Sequence, residues 1–283
     1  MPVEPPIATP VDLAAAYALL ASARHMPIAG GTDVMVRLTG EIGEPPERLM
    51  DLSRLRELAG IAQDGEALVL GARTTYAEIR ASTECRTHLP ALVEAAATVG
   101  AAQIQNRGTL GGNIANASPA GDTLPVLLAT DAEIVVGSVR GERTVPASEF
   151  FPAYRQTALA DDELILRIRI PLRAGRRVRF RKVGTRRAQA ISKVVMSLAW
   201  RPDGDTWTDV RVALGSVAAT PIRAFRTERI LEGRQPSPEV AGEAAQTLAD
   251  ELQPIDDVRS TADYRRRVSA RILHRMLREA GGW

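Results

Sequence analysis

Two glycine pairs, far apart in the chain, place the strongest constraint on its fold. The first lies in Ile28-Ala29-Gly30-Gly31-Thr32-Asp33, directly after a predicted strand, and the second lies in Arg107-Gly108-Thr109-Leu110-Gly111-Gly112-Asn113-Ile114. Glycine lets successive backbone N–H groups converge on one point without a side-chain clash, which makes an anion-binding nest. The first pair lacks the lysine of a Walker A loop and the spacing of a Rossmann motif, and alone it is also typical of a tight turn. Together, the two segments offer donors from more than one side, as a pyrophosphate requires.

Helix and strand patterns alternate along the rest of the chain. Segment 163–171 places Leu164, Leu166, Ile168 and Ile170 on one face and arginines on the other, which predicts a half-buried strand. Between the predicted helices, segment 100–122 reads as an irregular loop, and loops of that length are typically functional. A first helix is predicted to begin after an N-cap at Thr9. Further helices are predicted over 75–81, 88–99, 124–130, 238–252 and 261–280.

A linker divides the predicted elements into two domains. Pro171 ends a strand, and the arginine-rich segment 173–177 with its glycine follows it. We therefore predict one domain over 1–173 and a second over 177–283, the second being a small antiparallel meander followed by helices.

Charge is balanced over the chain but not along it. Basic and acidic residues number 36 and 34, for a net charge of +2, which argues against a nucleic-acid-binding surface. The segment 164–202 has no acidic residue. This basic segment must therefore contact anionic groups or be exposed to solvent. Its basic residues are Arg167, Arg169, Arg173, Arg176, Arg177, Arg179, Arg181, Lys182, Arg186, Arg187, Lys193 and Arg201.

Few residues can hold a metal. One cysteine, Cys85, cannot ligate an iron–sulfur cluster or a thiolate zinc site, so any such centre belongs to another chain. The three histidines, His25, His88 and His274, lack metal-ligand spacing, and neither a metal ligand nor a catalytic acid, base or nucleophile is expected here. No apolar run is long enough to span a membrane and no secretory signal is seen, so a cytoplasmic location is expected, or export with a signal-bearing partner.

The order of the motifs resembles the FAD-binding medium subunit of molybdenum hydroxylases, the family of xanthine dehydrogenase and carbon monoxide dehydrogenase. The resemblance covers essentially the whole chain. It rests on Ala29-Gly30-Gly31, Thr109-Leu110-Gly111-Gly112-Asn113, Ala117-Ser118-Pro119, Asp122, the segment 162–171, Phe180-Arg181-Lys182, Arg186-Arg187, Ile191-Ser192-Lys193 and the segment 213–224.

The resemblance implies an α+β fold. An FAD-binding domain of the vanillyl-alcohol-oxidase (PCMH) type, with subdomains over about 1–56 and 57–173, would precede a C-terminal domain with a three-stranded antiparallel sheet and helices. Both glycine segments would hold the pyrophosphate of a non-covalent FAD, Asp122 its adenosine side or ribose, and Ile165 would line the flavin pocket. Lys182 would approach the isoalloxazine ring, where a cation stabilises the reduced form. The cofactor-binding residues so implied are Ala29, Gly30, Gly31, Thr32, Asp33, Val34, Thr109, Leu110, Gly111, Gly112, Asn113, Asp122, Ile165 and Lys182.

The function that the resemblance implies is electron transfer within a heterotrimer, or a dimer of heterotrimers. A large partner would carry the molybdenum cofactor and a small partner the [2Fe-2S] clusters, and this chain would pass electrons through FAD to NAD⁺, a quinone, a carrier or oxygen. The substrate would bind on the large partner. A purine or other N-heterocycle is preferred over aldehydes and carbon monoxide.

Alternatives stay open at this point. The chain is also compatible with a stand-alone flavoprotein reductase or oxidase of the same fold, and with an arginine-rich, non-catalytic binding module for nucleic acid or scaffolding. Individual residues have plainer interpretations: Asp122 as the N-cap of the helix that follows it, Lys182 as one more solvated charge, and Asn113 as a local cap.

Overall fold

The computed structural model describes residues 5–39, 44–186 and 188–283. Helices and strands are mixed throughout these residues, which confirms the predicted α+β class. The strands are β1 (Ile7–Ala8), β2 (Met26–Ile28), β3 (Leu49–Asp51), β4 (Ile61–Asp64), β5 (Ala67–Gly71), β6 (Glu133–Ser138), β7 (Gly141–Pro146), β8 (Leu164–Pro171), β9 (Arg177–Val183), β10 (Val194–Asp203), β11 (Thr206–Gly215) and β12 (Ile222–Arg223). The helices are α1 (Leu13–Ser22), α2 (Val34–Leu38), α3 (Tyr76–Ala81), α4 (Thr83–His88), α5 (Pro90–Thr98), α6 (Ala102–Arg107), α7 (Leu110–Asn116), α8 (Leu124–Ala129), α9 (Phe225–Leu231), α10 (Pro238–Glu251) and α11 (Ala262–Gly281).

The described strands form three sheets. A small parallel sheet has the order β1-β3-β2, and an antiparallel sheet of five strands has the order β4-β5-β8-β6-β7. The third sheet is antiparallel, with the order β12-β11-β10-β9. Its three long strands are those of the predicted meander, and the two-residue β12 adds a fourth at the edge.

Each sheet packs against helices through its own hydrophobic core. The small sheet packs with α1, the third sheet packs with α9, α10 and α11, and the five-stranded sheet packs with the helices between β5 and β6. The main core does not stop at the predicted linker, because Phe180, Val195, Ala199 and Ala213 of the third sheet belong to it. The FAD-binding half and the C-terminal half are therefore joined by continuous apolar packing.

Strand β8 departs from the simple alternation that its sequence predicts. A bulge interrupts its pairing with β6, where Val135 faces Arg167 but Val136 faces Ile165. The bulge adds one residue to β8, so the side chains on its two sides alternate in opposite phase. Leu164 and Leu166 therefore pack in the core of the small sheet. Ile165, Ile168 and Ile170 pack in the main core.

Three local predictions are corrected by the structure. Segment 100–122 contains α6 and α7 and is not an irregular loop. Asp12, not Thr9, caps the first helix by accepting from the Ala15 N–H at 2.8 Å. The helix predicted over 88–99 is α5 and begins at Pro90, whose missing N–H suits a first helical position, while His88 ends the separate helix α4.

Candidate functional site

The two glycine segments lie in contact with each other. A β-carbon on Gly30 would stand only 1.9 Å from the carbonyl oxygen of Arg107, the residue that opens the second segment. No side chain fits into such a distance, so the contact requires glycine at this position. The fold thus brings together two segments that the sequence predicted to share one ligand.

The first segment presents free backbone donors. The N–H groups of Gly30, Gly31, Thr32 and Asp33 donate to no described residue. Gly31 has a positive φ of 76°, the left-handed conformation that glycine adopts without cost. Successive amides in such a turn point into one concavity and favour an anion there.

Most backbone N–H groups at the start of α7, in the second segment, already donate hydrogen bonds within the protein. The Leu110 and Gly111 N–H groups donate to the carbonyl oxygens of Thr74 and Ala72, both at 2.9 Å, and the Gly112 N–H donates to Thr109 Oγ1 at 3.1 Å. A β-carbon on Gly111 would lie 2.6 Å from the Ala72 oxygen. The free amides therefore come from the first segment, while the second supplies close backbone approach and the exposed Gly112.

A buried ion pair lies where the predicted FAD-binding half meets the C-terminal half. Lys182 Nζ donates to Asp122 Oδ2 at 2.5 Å and to the Thr98 carbonyl oxygen at 2.9 Å. The side chains of Lys182 and Asp122 are 10% and 8% exposed. Burial raises the pKa of the Asp122 carboxyl, and the Lys182 ammonium opposes that rise. Lys182 is therefore not a solvated surface charge.

Asp122 is also not the cap of the helix that follows it. Thr123 occupies the N-cap position of α8, and the second carboxylate oxygen of Asp122, Oδ1, accepts a hydrogen bond from Ser192 Oγ. Both oxygens of this carboxylate therefore bind residues of the C-terminal half of the chain. The sequence analysis assigned Asp122 to the adenosine side or ribose of FAD and Lys182 to the isoalloxazine ring, whereas the structure joins these two side chains in one ion pair.

The other predicted residues take several positions. Asn113 Oδ1 accepts from Thr123 Oγ1 at 2.6 Å, a side-chain contact with the N-cap residue of α8 and not a cap of its own turn. Asp33 Oδ1 accepts from Asn116 Nδ2 at 3.0 Å and so ties the first segment to α7. Val34 begins α2. Leu110 and Ile165 are buried in the main core, where Ile165 lies on β8 against α7.

Sequence reasoning missed Tyr76 beside this site. Its ring lies under the second segment, where a β-carbon on Gly108 would stand 2.9 Å from Tyr76 Cε2. The side chain is 3% exposed and its hydroxyl hydrogen-bonds to no described residue. Burial, with added effects of Asp33 and Asp122, raises the pKa of Tyr76. No motif in the sequence marks this tyrosine, because only the fold places it between the two carboxylates.

The basic segment 164–202 is largely neutralised within the chain. Seven of its basic residues form ion pairs with carboxylates elsewhere, and Arg187 lies outside the described residues. The pairs are Arg167 with Glu142, Arg169 with Asp64, Arg173 and Arg176 with Asp131 and Asp209, Arg179 and Arg181 with Glu279, and Lys182 with Asp122. At these seven positions the segment therefore faces anions supplied by its own fold.

These residues fit the FAD that the resemblance implies. An open nest of unpaired amides suits a pyrophosphate, and Gly112 leaves the backbone of the second segment accessible. Lys182 supplies a buried cation, paired with Asp122, where the two halves of the chain meet. Over the described ranges, no group of three or more histidine, cysteine, aspartate or glutamate side chains could hold a metal ion. No helix in the described part of the chain is long and apolar enough to span a membrane.

Two family models match the chain and together span most of it. The FAD binding domain in molybdopterin dehydrogenase matches residues 3–173. The CO dehydrogenase flavoprotein C-terminal domain matches residues 179–280.

Individual proteins match over nearly their full length. The carbon monoxide dehydrogenase medium chain of Hydrogenophaga pseudoflava is 32% identical over 254 residues, which cover 89% of this chain and 88% of that one. The xanthine dehydrogenase FAD-binding subunit of Escherichia coli O157:H7 is 29% identical over 257 residues, covering 89% and 87%. A solved structure of the carbon monoxide dehydrogenase from Hydrogenophaga pseudoflava matches with a TM-score of 0.92 and 30% identity, over 97% of this chain and 96% of that chain.

Proposed function

Because this chain belongs to the family of FAD-binding medium subunits of molybdopterin dehydrogenases, we propose that it is the flavoprotein subunit of a heterotrimeric molybdenum hydroxylase. The predicted resemblance, the FAD-binding α+β fold and the oxidoreductase family are confirmed. In our proposal the chain receives electrons from [2Fe-2S] clusters of a small partner and delivers them to an external acceptor: NAD⁺, a quinone, a carrier or oxygen.

The observation that carries this proposal is the contact between the two glycine segments beside a buried lysine. The free amides of Gly30, Gly31, Thr32 and Asp33 would bind the pyrophosphate of FAD, and Lys182 would face the isoalloxazine ring. Bound FAD accepts electrons singly or in pairs, which is the chemistry that the protein side chains themselves lack. The remaining residues proposed to line the site are Ala29, Val34, Thr109, Leu110, Gly111, Gly112, Asn113, Asp122 and Ile165.

The protein's own contribution is binding, orientation and electrostatics. The nest neutralises the phosphate charge without a lysine or arginine. Lys182, desolvated between Thr98 and Asp122, places a positive charge where the reduced ring carries a negative one. In a site shielded from water this charge favours reduction of the flavin to the extent that Asp122 leaves it uncompensated.

The partners follow from what this chain lacks. Its single cysteine cannot ligate a cluster, so the iron–sulfur centres and the molybdenum cofactor belong to other subunits in our proposal. The substrate would bind on the large subunit. Relatives of similar sequence are named for carbon monoxide and for xanthine, so the medium chain does not distinguish them. A cytoplasmic location stays a prediction from the sequence.

Purification of the native protein through a tag on this chain tests the heterotrimer. We expect a larger and a smaller chain to co-purify, together with molybdenum, iron and FAD, and dehydrogenase activity to be retained. A lone chain that is catalytically competent, in a preparation without molybdenum or iron, would contradict the proposal and support a stand-alone flavoprotein.

A further inference from the structure

Ser192 is a buried residue that contacts Asp122 and is not among the residues proposed to bind FAD. It is 1% exposed, and its Oγ donates a hydrogen bond to Asp122 Oδ1. The other oxygen of the same carboxylate, Oδ2, accepts from Lys182 Nζ at 2.5 Å. A serine and a lysine therefore hold Asp122 from its two sides.

Lys182 and Ser192 lie near the two ends of the segment that connects β9 to β10. Lys182 lies on β9, and Ser192 lies just before β10, which pairs antiparallel with β9. The hairpin is closed beside them by the Lys193 N–H, which donates to the Val183 carbonyl oxygen at 2.8 Å. Ser192 lies in the segment that joins β9 to β10, one residue before this hydrogen bond, which holds that end of the segment beside Lys182.

The buried carboxylate needs both donors. Burial disfavours its charged form, whereas a hydrogen bond donated to the carboxylate favours that form. Among the described residues, the charged and titratable groups that face Asp122 are Lys182 from β9 and Tyr76 from α3. Ser192 is a neutral donor beside Lys182, the Thr98 side chain adds a further hydrogen bond, and loss of Ser192 removes the hydroxyl that donates to Oδ1.

We propose that Ser192 is a positioning residue of the flavin site: its hydroxyl keeps Asp122 ionised and oriented, and Asp122 in turn fixes the position of the Lys182 ammonium. This inference rests on the proposed function, in which Lys182 serves the isoalloxazine ring. Ser192 acts only through Asp122.

The test compares Ser192→Ala with a matched serine on the next strand. Ser197 is fully buried on β10 and its Oγ donates to the Arg179 carbonyl oxygen at 3.2 Å, away from Asp122, so Ser197→Ala is the control. The readouts are the FAD dissociation constant and the midpoint potential of the flavin against pH, measured in the purified complex. Ser192→Ala is expected to weaken FAD binding by at most about tenfold, because the lost hydrogen bond joins two protein groups and FAD is affected only through the displaced Lys182 ammonium.

The potential is expected to change in a defined direction. As the pH falls, Asp122 becomes protonated, Lys182 loses its counterion, and the uncompensated cation makes the flavin easier to reduce. Without the Ser192 donor this protonation occurs at higher pH, so the rise in potential moves to higher pH in Ser192→Ala. Ser192→Thr keeps the hydroxyl and is expected to restore the wild-type curve.

Failure of the inference and failure of the proposed function look different. If Lys182→Ala lowers the potential but Ser192→Ala matches Ser197→Ala in affinity and pH profile, the role of Ser192 is wrong and the FAD site stands. If the wild-type complex holds no FAD, the proposed function itself is wrong. Should Ser192→Ala not fold, Ser192→Cys keeps the volume with a weaker donor, and a wild-type pH profile in that variant would overturn the inference.

Discussion

Gly30 shows at the scale of one residue how the site depends on backbone approach. A β-carbon there would lie 1.9 Å from the Arg107 carbonyl oxygen, which belongs to the backbone and cannot rotate away. Gly30→Ala must therefore separate the two glycine segments. We expect the free energy of unfolding to fall by about 2 kcal/mol, the usual cost of overpacking, and FAD binding to be lost.

The matched control for this change is Gly242→Ala in α10. A β-carbon on Gly242 would meet no atom within 4 Å, and its φ is not positive, so alanine is expected to be neutral or to stabilise the helix by about 0.5–1 kcal/mol. Urea unfolding and FAD titration measure both effects. Equal stability and equal FAD affinity of the two variants would show that the contact at Gly30 is not required.

At the scale of elements, Asp131 joins α8 to the third sheet. Its carboxylate accepts from Arg176 at 2.7 Å and from Arg211 at 3.1 Å, and Arg176 is only 3% exposed. Burial alone would raise the pKa of Asp131, but the hydrogen bonds and charges of the two arginines outweigh it, so the pKa is lowered. A carboxyl whose pKa is lower in the native state than in the unfolded state stabilises the fold at any pH above its unfolded-state pKa. This stabilisation is lost as the pH falls toward the native-state pKa.

Asp131→Asn is therefore expected to reduce the free energy of unfolding by about 2 kcal/mol at neutral pH, because it removes one of the two carboxylates that pair with the buried Arg176 guanidinium and leaves Asp209 as the other. The difference from wild type should shrink in acid, where the wild-type carboxylate also becomes protonated. Glu142→Gln is the control, since Glu142 and its partner Arg167 are 46% and 36% exposed, and a change below about 1 kcal/mol is expected. Denaturant unfolding across pH measures both variants, and equal losses for the two would contradict a special role for Asp131.

Patterns within one element were predictable from the sequence, whereas contacts between elements were not. The long strands of the third sheet and the two C-terminal helices follow from local periodicity. The bulge in β8 does not, because it arises from pairing with β6. The short helix α7 was missed because its glycines and asparagines have low helix propensity, which hydrogen bonds from Leu110 and Gly111 to Thr74 and Ala72 overcome. The domain boundary at 173–177 stays a prediction.

At the scale of the whole molecule, the site is made by two halves of the chain. The main core runs from the helices of the first half into β9, β10 and β11, and the ion pair of Asp122 and Lys182 lies across the same junction. The sequence predicted both residues through the family resemblance and predicted the glycine segments from their composition. The resemblance included Ser192 but implied no role for it, and no motif marked Tyr76, because the contacts of both residues arise only in the fold.

Titration of the purified chain with FAD, followed by flavin absorbance and by release on denaturation, tests whether this chain is the one that binds FAD. We predict one FAD bound per chain, held without a covalent bond and released intact when the protein is unfolded. A colourless protein that takes up no FAD would contradict the account, and salt-dependent binding to DNA by that protein would favour an arginine-rich binding module instead.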